Sequence, residues 1–164
     1  MLKFRQFRSD DLDLVKVLID RTIDVSYAAD YPERARAFFK AYHSLDNITS
    51  DARSGLTLVV EDGSAIVATV TLKGSSVLRM FVLPEHQGRG LGKELMMLLE
   101  AGAQRVGQLH LELDSSLGAR SFYEQLGFMV VEEAFHDLGE GQQLRYFKMV
   151  KRLEDQRRSQ ATSR

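Results

Sequence analysis

The chain has 164 residues, 22 basic and 23 acidic side chains, a formal charge of −1 and no cysteine. That balance carries no nucleic-acid or membrane signature, and the missing thiol excludes disulfides, thiolate metal sites and a cysteine nucleophile. The length suits one domain, expected over residues 1–153, large enough to bury roughly two-thirds of its unfolded surface.

In chain order, residues 2–8 alternate Leu2 and Phe4 with Lys3 and Arg5 and read as a first strand. The opening Met-Leu-Lys-Phe-Arg resembles neither a signal peptide nor a membrane span, so the cytoplasm is the default expectation. Ser9 is a candidate N-cap for a helix carrying Leu12, Val15, Leu18, Ile19 and Ile23 on one stripe. Pro32 opens a second helix, on which Ala35, Phe38, Phe39 and Tyr42 share a face. The polar stretch 47–55 reads as a loop. Strands 56–61 and 65–72 flank Asp62-Gly63, a hairpin signal, which leaves Glu61 as a turn residue.

After the turn at Gly74, an apolar strand over 77–83 ends at Pro84. Gly88, Gly90 and Gly92 then lead into a helix over 91–106, with Leu91, Leu95, Leu98, Leu99 and Val106 as its expected buried stripe. The next strand, 109–114, follows at a distance that implies a parallel pair. A short helix over 118–126 clusters Ala119, Phe122, Tyr123 and Leu126, and strands 128–135 and 144–152 close the sheet as a hairpin. The tail 154–164 has the composition of a disordered segment. Unaided, this order is generic α/β.

Glycines at a strand-to-helix turn let backbone N–H groups approach an anion, and the helix dipole adds positive charge there. Phosphate binding is the chemistry this favours. A P-loop would need Ser or Thr after Lys93, where Glu94 stands, and a dinucleotide loop needs G-x-G-x-x-G rather than the G-x-G-x-G of Gly88, Gly90 and Gly92. Both fail on spacing. No H-E-x-x-H or G-x-S-x-G occurs, which disfavours metal and serine hydrolases.

Val82, Pro84, Gln87, Gly88, Gly90 and Gly92 fill the pattern V-x-P-x-x-[QR]-G-x-G-x-[GA], which resembles motif A of the GNAT acyl-CoA N-acyltransferase superfamily. Ala119-x-x-Phe122-Tyr123-x-x-x-Gly127-Phe128 is similar to its motif B. The resemblance covers residues 57–149 and implies a mixed, mostly antiparallel sheet with one splayed parallel pair and helices on both faces. It also implies acetyl-CoA as cosubstrate. Pyrophosphate would rest on the amides of Gln87, Gly88, Arg89, Gly90, Leu91 and Gly92, with Arg89 and Lys93 as added cations or simply solvated ones. The pantetheine arm would pair with the strand Met80-Phe81-Val82, and the Met80 amide would face the acetyl carbonyl.

Tyr123 takes the position of the superfamily's general acid; its alternative is a core tyrosine packed beside Phe122. Gly118 departs from the pattern, since many relatives carry an Asn there that helps hold pantetheine. No acid lies on the strand before the glycine loop, so the base is sought on the polar row His110, Glu112 and Asp114, which also reads as an exposed patch. The superfamily's first two helices usually shape the acceptor pocket, which draws attention to Tyr27, Asp30, Tyr31, Tyr42 and His43. The expected activity is transfer of acetyl to a small-molecule or protein amine by direct attack. No nucleic acid, membrane or metal is implied, and a homodimer is left open. Two rivals remain: a non-catalytic acyl-CoA-binding module, and a nucleotide-dependent oxidoreductase using Glu112 or Asp114 as a ribose acid.

Overall fold

The computed structural model describes residues 1–154; the polar tail lies outside them apart from Glu154. Seven strands form one sheet in the order β1-β2-β3-β4-β5-β7-β6. They are β1 (Leu2–Gln6), β2 (Leu56–Asp62), β3 (Ala65–Lys73), β4 (Ser76–Val82), β5 (His110–Ser115), β6 (Met129–Gly139) and β7 (Gln142–Arg152). All neighbours are antiparallel except β4 and β5. The parallel pair is the one joined by a helical crossover, α4 (Leu91–Arg105).

Helices cover both faces, as the resemblance implies. On one, α4 and α5 (Arg120–Gln125) pack Leu91, Leu95, Leu99 and Tyr123 onto Val70, Leu111 and Met149. On the other, α1 (Leu12–Ser26) packs Val15, Leu18, Ile19 and Ile23 onto Val59, Ile66 and Phe81. Next to it, α2 (Glu33–Tyr42) and the loop before it set Ala35 and Tyr31 against Leu144 of β7. No helix among the described residues is long and apolar enough to cross a membrane.

Several local expectations are corrected. The stretch expected as a loop over 47–55 belongs to α3 (Leu45–Ser54), capped by Ser44, whose hydroxyl accepts the Asn47 N–H at 3.2 Å. Only Ile48 of this helix is buried, so its polar outer turns hid the helical period. Ser9 opens a short 3₁₀ turn rather than the helix proper, and the Asp11 carboxylate at its end accepts the Arg8 N–H at 2.7 Å. On α4, Leu98 and Val106 face solvent, while Met96 and Ala103 fill the core. Phe38 and Tyr42 are likewise exposed. Glu61 sits within β2 and holds the Arg5 guanidinium, which also chelates Asp11 at 2.7 and 2.8 Å. These partners pull the carboxyls of both acids below their usual range.

Candidate active site

The parallel pair is barely a pair. β4 and β5 are in register only at Ser76 and Glu112, where the Glu112 N–H donates to Ser75 C=O at 2.9 Å. Beyond that crossing the strands part, leaving a wedge that opens toward Val82 and Ser115. The interior backbone of two strands is thereby offered to a ligand, which an ordinary sheet does not do.

The glycine loop lies at the wide end. Gly88 and Gly90 have φ of +73° and +83°, and Gly90 is the N-cap of α4. A side chain at either would meet open space but would strain the backbone, so glycine is there for conformation. Gly92 has a different reason. A Cβ there would stand 3.0 Å from the Phe122 ring and 3.3 Å from Met80 Cε, so its smallness lets α4 close on α5 and β4. The α4 N-terminus, with exposed Arg89 and Lys93 beside it, combines free backbone N–H groups with the positive end of the helix dipole, a setting that favours an anion. Gln87, although exposed, folds back on the chain, its Nε2 donating to Val82 C=O at 2.9 Å and to Ser26 Oγ at 3.1 Å. It therefore ties the loop to β4 and α1, using one lone pair of the Val82 carbonyl.

Tyr123 enters from the α5 side, 7 % exposed, edge-on to Phe122 at 5.0 Å and to Phe128 at 5.8 Å. Burial first, and then the field of Tyr27, push its pKa well above the ordinary phenol value. Tyr27, at the C-cap of α1, comes from the opposite face, its phenol raised by burial and eased by Ser116. Tyr31 braces this region by accepting the Leu117 N–H at 3.0 Å and donating to Arg145 C=O at 2.5 Å. Burial lifts its pKa to about 12. A Cβ at Gly118 would stand 2.9 Å from Asp30 Oδ2, so the small residue at 118 leaves room for that carboxylate.

The two β5 acids are separated by the wedge. Glu112, at the closed end, takes the hydroxyls of Ser76 at 3.2 Å and Ser75 at 3.4 Å. Asp114 lies on the same open sheet face, two residues nearer the opening. It remains solvent-accessible, yet loss of hydration is the largest influence and raises its pKa; Glu112 and Glu132 add to this, and Lys148 and His136 oppose it. His110 lies further from the opening, also exposed.

A family model described as an acetyltransferase (GNAT) domain matches residues 27–153. The chain belongs to the GNAT acetyltransferase family. A curated relative, the peptidyl-lysine N-acetyltransferase YiaC of Escherichia coli (strain K12), is 35 % identical over 78 residues, 47 % of this chain and 51 % of the relative. The match thus spans about half the length of that protein. The GCN5-related N-acetyltransferase structure from Rhodopseudomonas palustris superposes with a TM-score of 0.83 at 24 % identity, covering 92 % of this chain and 95 % of that one. The PaiA N-acetyltransferase of Thermoplasma acidophilum, in complex with coenzyme A, gives 0.77 at 21 %, with 93 % and 99 % covered.

Within this GNAT frame Met80, Val82, Phe122 and Tyr123 pack in one cluster beside Gly92 of the glycine loop, whereas Asp114 faces Lys148, His136 and Glu132 on β7 and β6. Three side chains that bear on the wedge directly or through the backbone had not stood out in the sequence: Ser116, Arg79 and, on the more distant α3, Asp51. Arg79 had a visible signal, a lone charge inside the run Val77-Leu78-Arg79-Met80-Phe81. Asp51 had none, because its helix buries only Ile48 and so shows no apolar stripe.

Proposed function

We propose that the chain transfers the acetyl group of acetyl-CoA to a primary amine by direct attack. The observation that carries this reading is the wedge between β4 and β5 with an open glycine cradle at its wide end. Acetyl-CoA, held by the loop amides and by the backbone of Met80 and Val82, supplies an activated thioester. The Met80 amide donates to the acetyl carbonyl, where negative charge develops as the amine approaches. Asp114 takes the proton the amine must lose. Its raised pKa suits that task better than Glu112, which the two serines occupy.

The amine nitrogen bonds to the acetyl carbon as the carbon–sulfur bond breaks, and Tyr123 gives its proton to the departing thiolate. Burial keeps that phenol protonated until the thiolate develops beside it, while the same shift makes it the weaker donor. In balance, one proton passes from amine to thiol and no acyl-enzyme forms, in keeping with a chain without cysteine. The relative matched over half its length is named a peptidyl-lysine N-acetyltransferase, which makes a lysine ε-amine the first acceptor to try.

Ligand class tests the reading. Acetyl-CoA at 100 times its Kd should stabilise the protein by about 2.7 kcal/mol, a melting shift of roughly 5–10 °C for a chain of this size. NAD and ATP should give none. A larger shift with NAD than with acetyl-CoA would overturn the assignment of the wedge.

A further inference from the structure

Two non-glycine residues among the described ones have left-handed backbone, Glu140 and Arg79. Glu140 is in the turn between β6 and β7, where such angles are routine. Arg79, with φ of +53°, is inside a strand. There a Cβ makes the conformation unfavourable, and it persists only where its surroundings impose it.

The register shows what the angle does. Thr71 pairs with Leu78 and Thr69 with Phe81, so the single residue Val70 faces two residues, Arg79 and Met80. β4 therefore carries a bulge. It falls beyond the Ser76–Glu112 crossing, where β4 has already left β5, and Met80 is the residue it reorients.

The side chain shows what imposes it. Arg79 is 6 % exposed, and its Nη1 stands 2.7 Å from Oδ2 of Asp51 on α3, an ion pair rather than an aligned hydrogen bond. Asp51 is itself fixed, its Oδ1 accepting from Lys73 Nζ at 2.8 Å. The neighbouring His43, packed against Phe81 at 5.3 Å, supplies no counter-charge. Asp51 is thus the anion that anchors the guanidinium.

We infer that Arg79 and Asp51 form a positioning clamp for acyl transfer: the pair holds the β4 bulge, and through it the Met80 amide, in the orientation the reaction uses. Arg79 touches no reactant and acts only through its own backbone. The inference rests on the reading of Met80 as donor to the acetyl carbonyl. It adds that a helix remote from the reacting atoms, α3, sets the geometry of that donor.

The test uses Asp51→Asn and Arg79→Gly, the second because glycine tolerates the left-handed angle without strain, so the protein folds, while nothing any longer anchors the bulge to α3. Amide spectra of ¹⁵N-labelled protein report Met80 without ligand, with CoA and with acetyl-CoA. Turnover is expressed per CoA-binding site, counted by calorimetric titration, so that loss of folded protein does not count as loss of rate. Both variants should move the unliganded Met80 resonance. Turnover should fall by roughly ten- to a hundredfold, the cost of misplacing a catalytic group by a fraction of an ångström or more, with CoA affinity unchanged. An unmoved Met80 resonance, or full turnover per site, in a folded variant would overturn the clamp. Failure of the underlying reading looks different: wild-type Met80 would respond identically to CoA and acetyl-CoA.

Discussion

His43 allows a prediction whose size follows from the structure. It caps α2, is 8 % exposed, and rests edge-on against Phe81 at 5.3 Å and Tyr42 at 5.1 Å. Its Nδ1 has no partner. Burial first, then the charges of Arg79 and Lys16, lower its pKa from 6.5 to about 3, with Asp51 opposing. Between those values the unfolded chain binds a proton that the folded protein refuses, so stability falls as pH drops through 6.5 and is not affected above it. Near pH 5 the unfolded imidazole is almost fully protonated and the folded one almost not, which costs about 2 kcal/mol. For a chain of this size that is a melting shift of about 4–8 °C. Other carboxyls titrate in the same window, so the readout is a comparison with His43→Phe, which keeps an aromatic ring and removes the titration. Thermal melts at neutral pH and near pH 5 should show wild type losing about 2 kcal/mol more than the variant. Parallel melting curves for the two proteins would refute a buried neutral His43.

Three further outcomes concern the wedge. Gly90→Val should weaken CoA binding strongly by calorimetry while circular dichroism stays near wild type, since a branched residue resists φ of +83° at the head of α4; unchanged affinity would reduce the loop to a plain turn. Tyr123→Phe keeps the ring against Phe122 and Phe128, so single-turnover transfer should slow by about 10²–10⁴-fold with CoA affinity nearly intact. Full single-turnover activity would remove Tyr123 from the chemistry. Asp114→Asn should cost about 10²-fold or more in kcat and abolish the acidic limb of the rate profile, whereas Glu112→Gln should stay within a few-fold. The reverse ranking would move the base to the closed end of the wedge.

What was legible in the sequence was local. Gly88, Gly90 and the Ala119–Phe128 spacing mark features built within a few residues, and the crossover length implied the parallel pair. The remainder depended on tertiary contacts. Leu45–Ser54 has one buried residue, so no stripe announced α3. Leu98 and Val106 match the helical period, yet they point away from the core because α4 lies on the sheet through Met96, Leu99 and Ala103. The polar row on β5 was visible by alternation, but only the crossing at Ser76 separates Glu112 from Asp114. The bulge at Arg79 arises from the β3 register, which the order of residues along β4 does not encode.

The central claim is acetyl transfer to an amine, and turnover tests it most directly. The protein is mixed with acetyl-CoA and a panel of primary amines that includes a lysine-containing peptide, while free thiol is followed and products are weighed by mass spectrometry. The account predicts amine-dependent thiol release matched mole for mole by N-acetylated product, and its loss in Gly90→Val. A wild-type protein that binds acetyl-CoA but acetylates no amine in the panel would contradict it and leave an acyl-CoA-binding module.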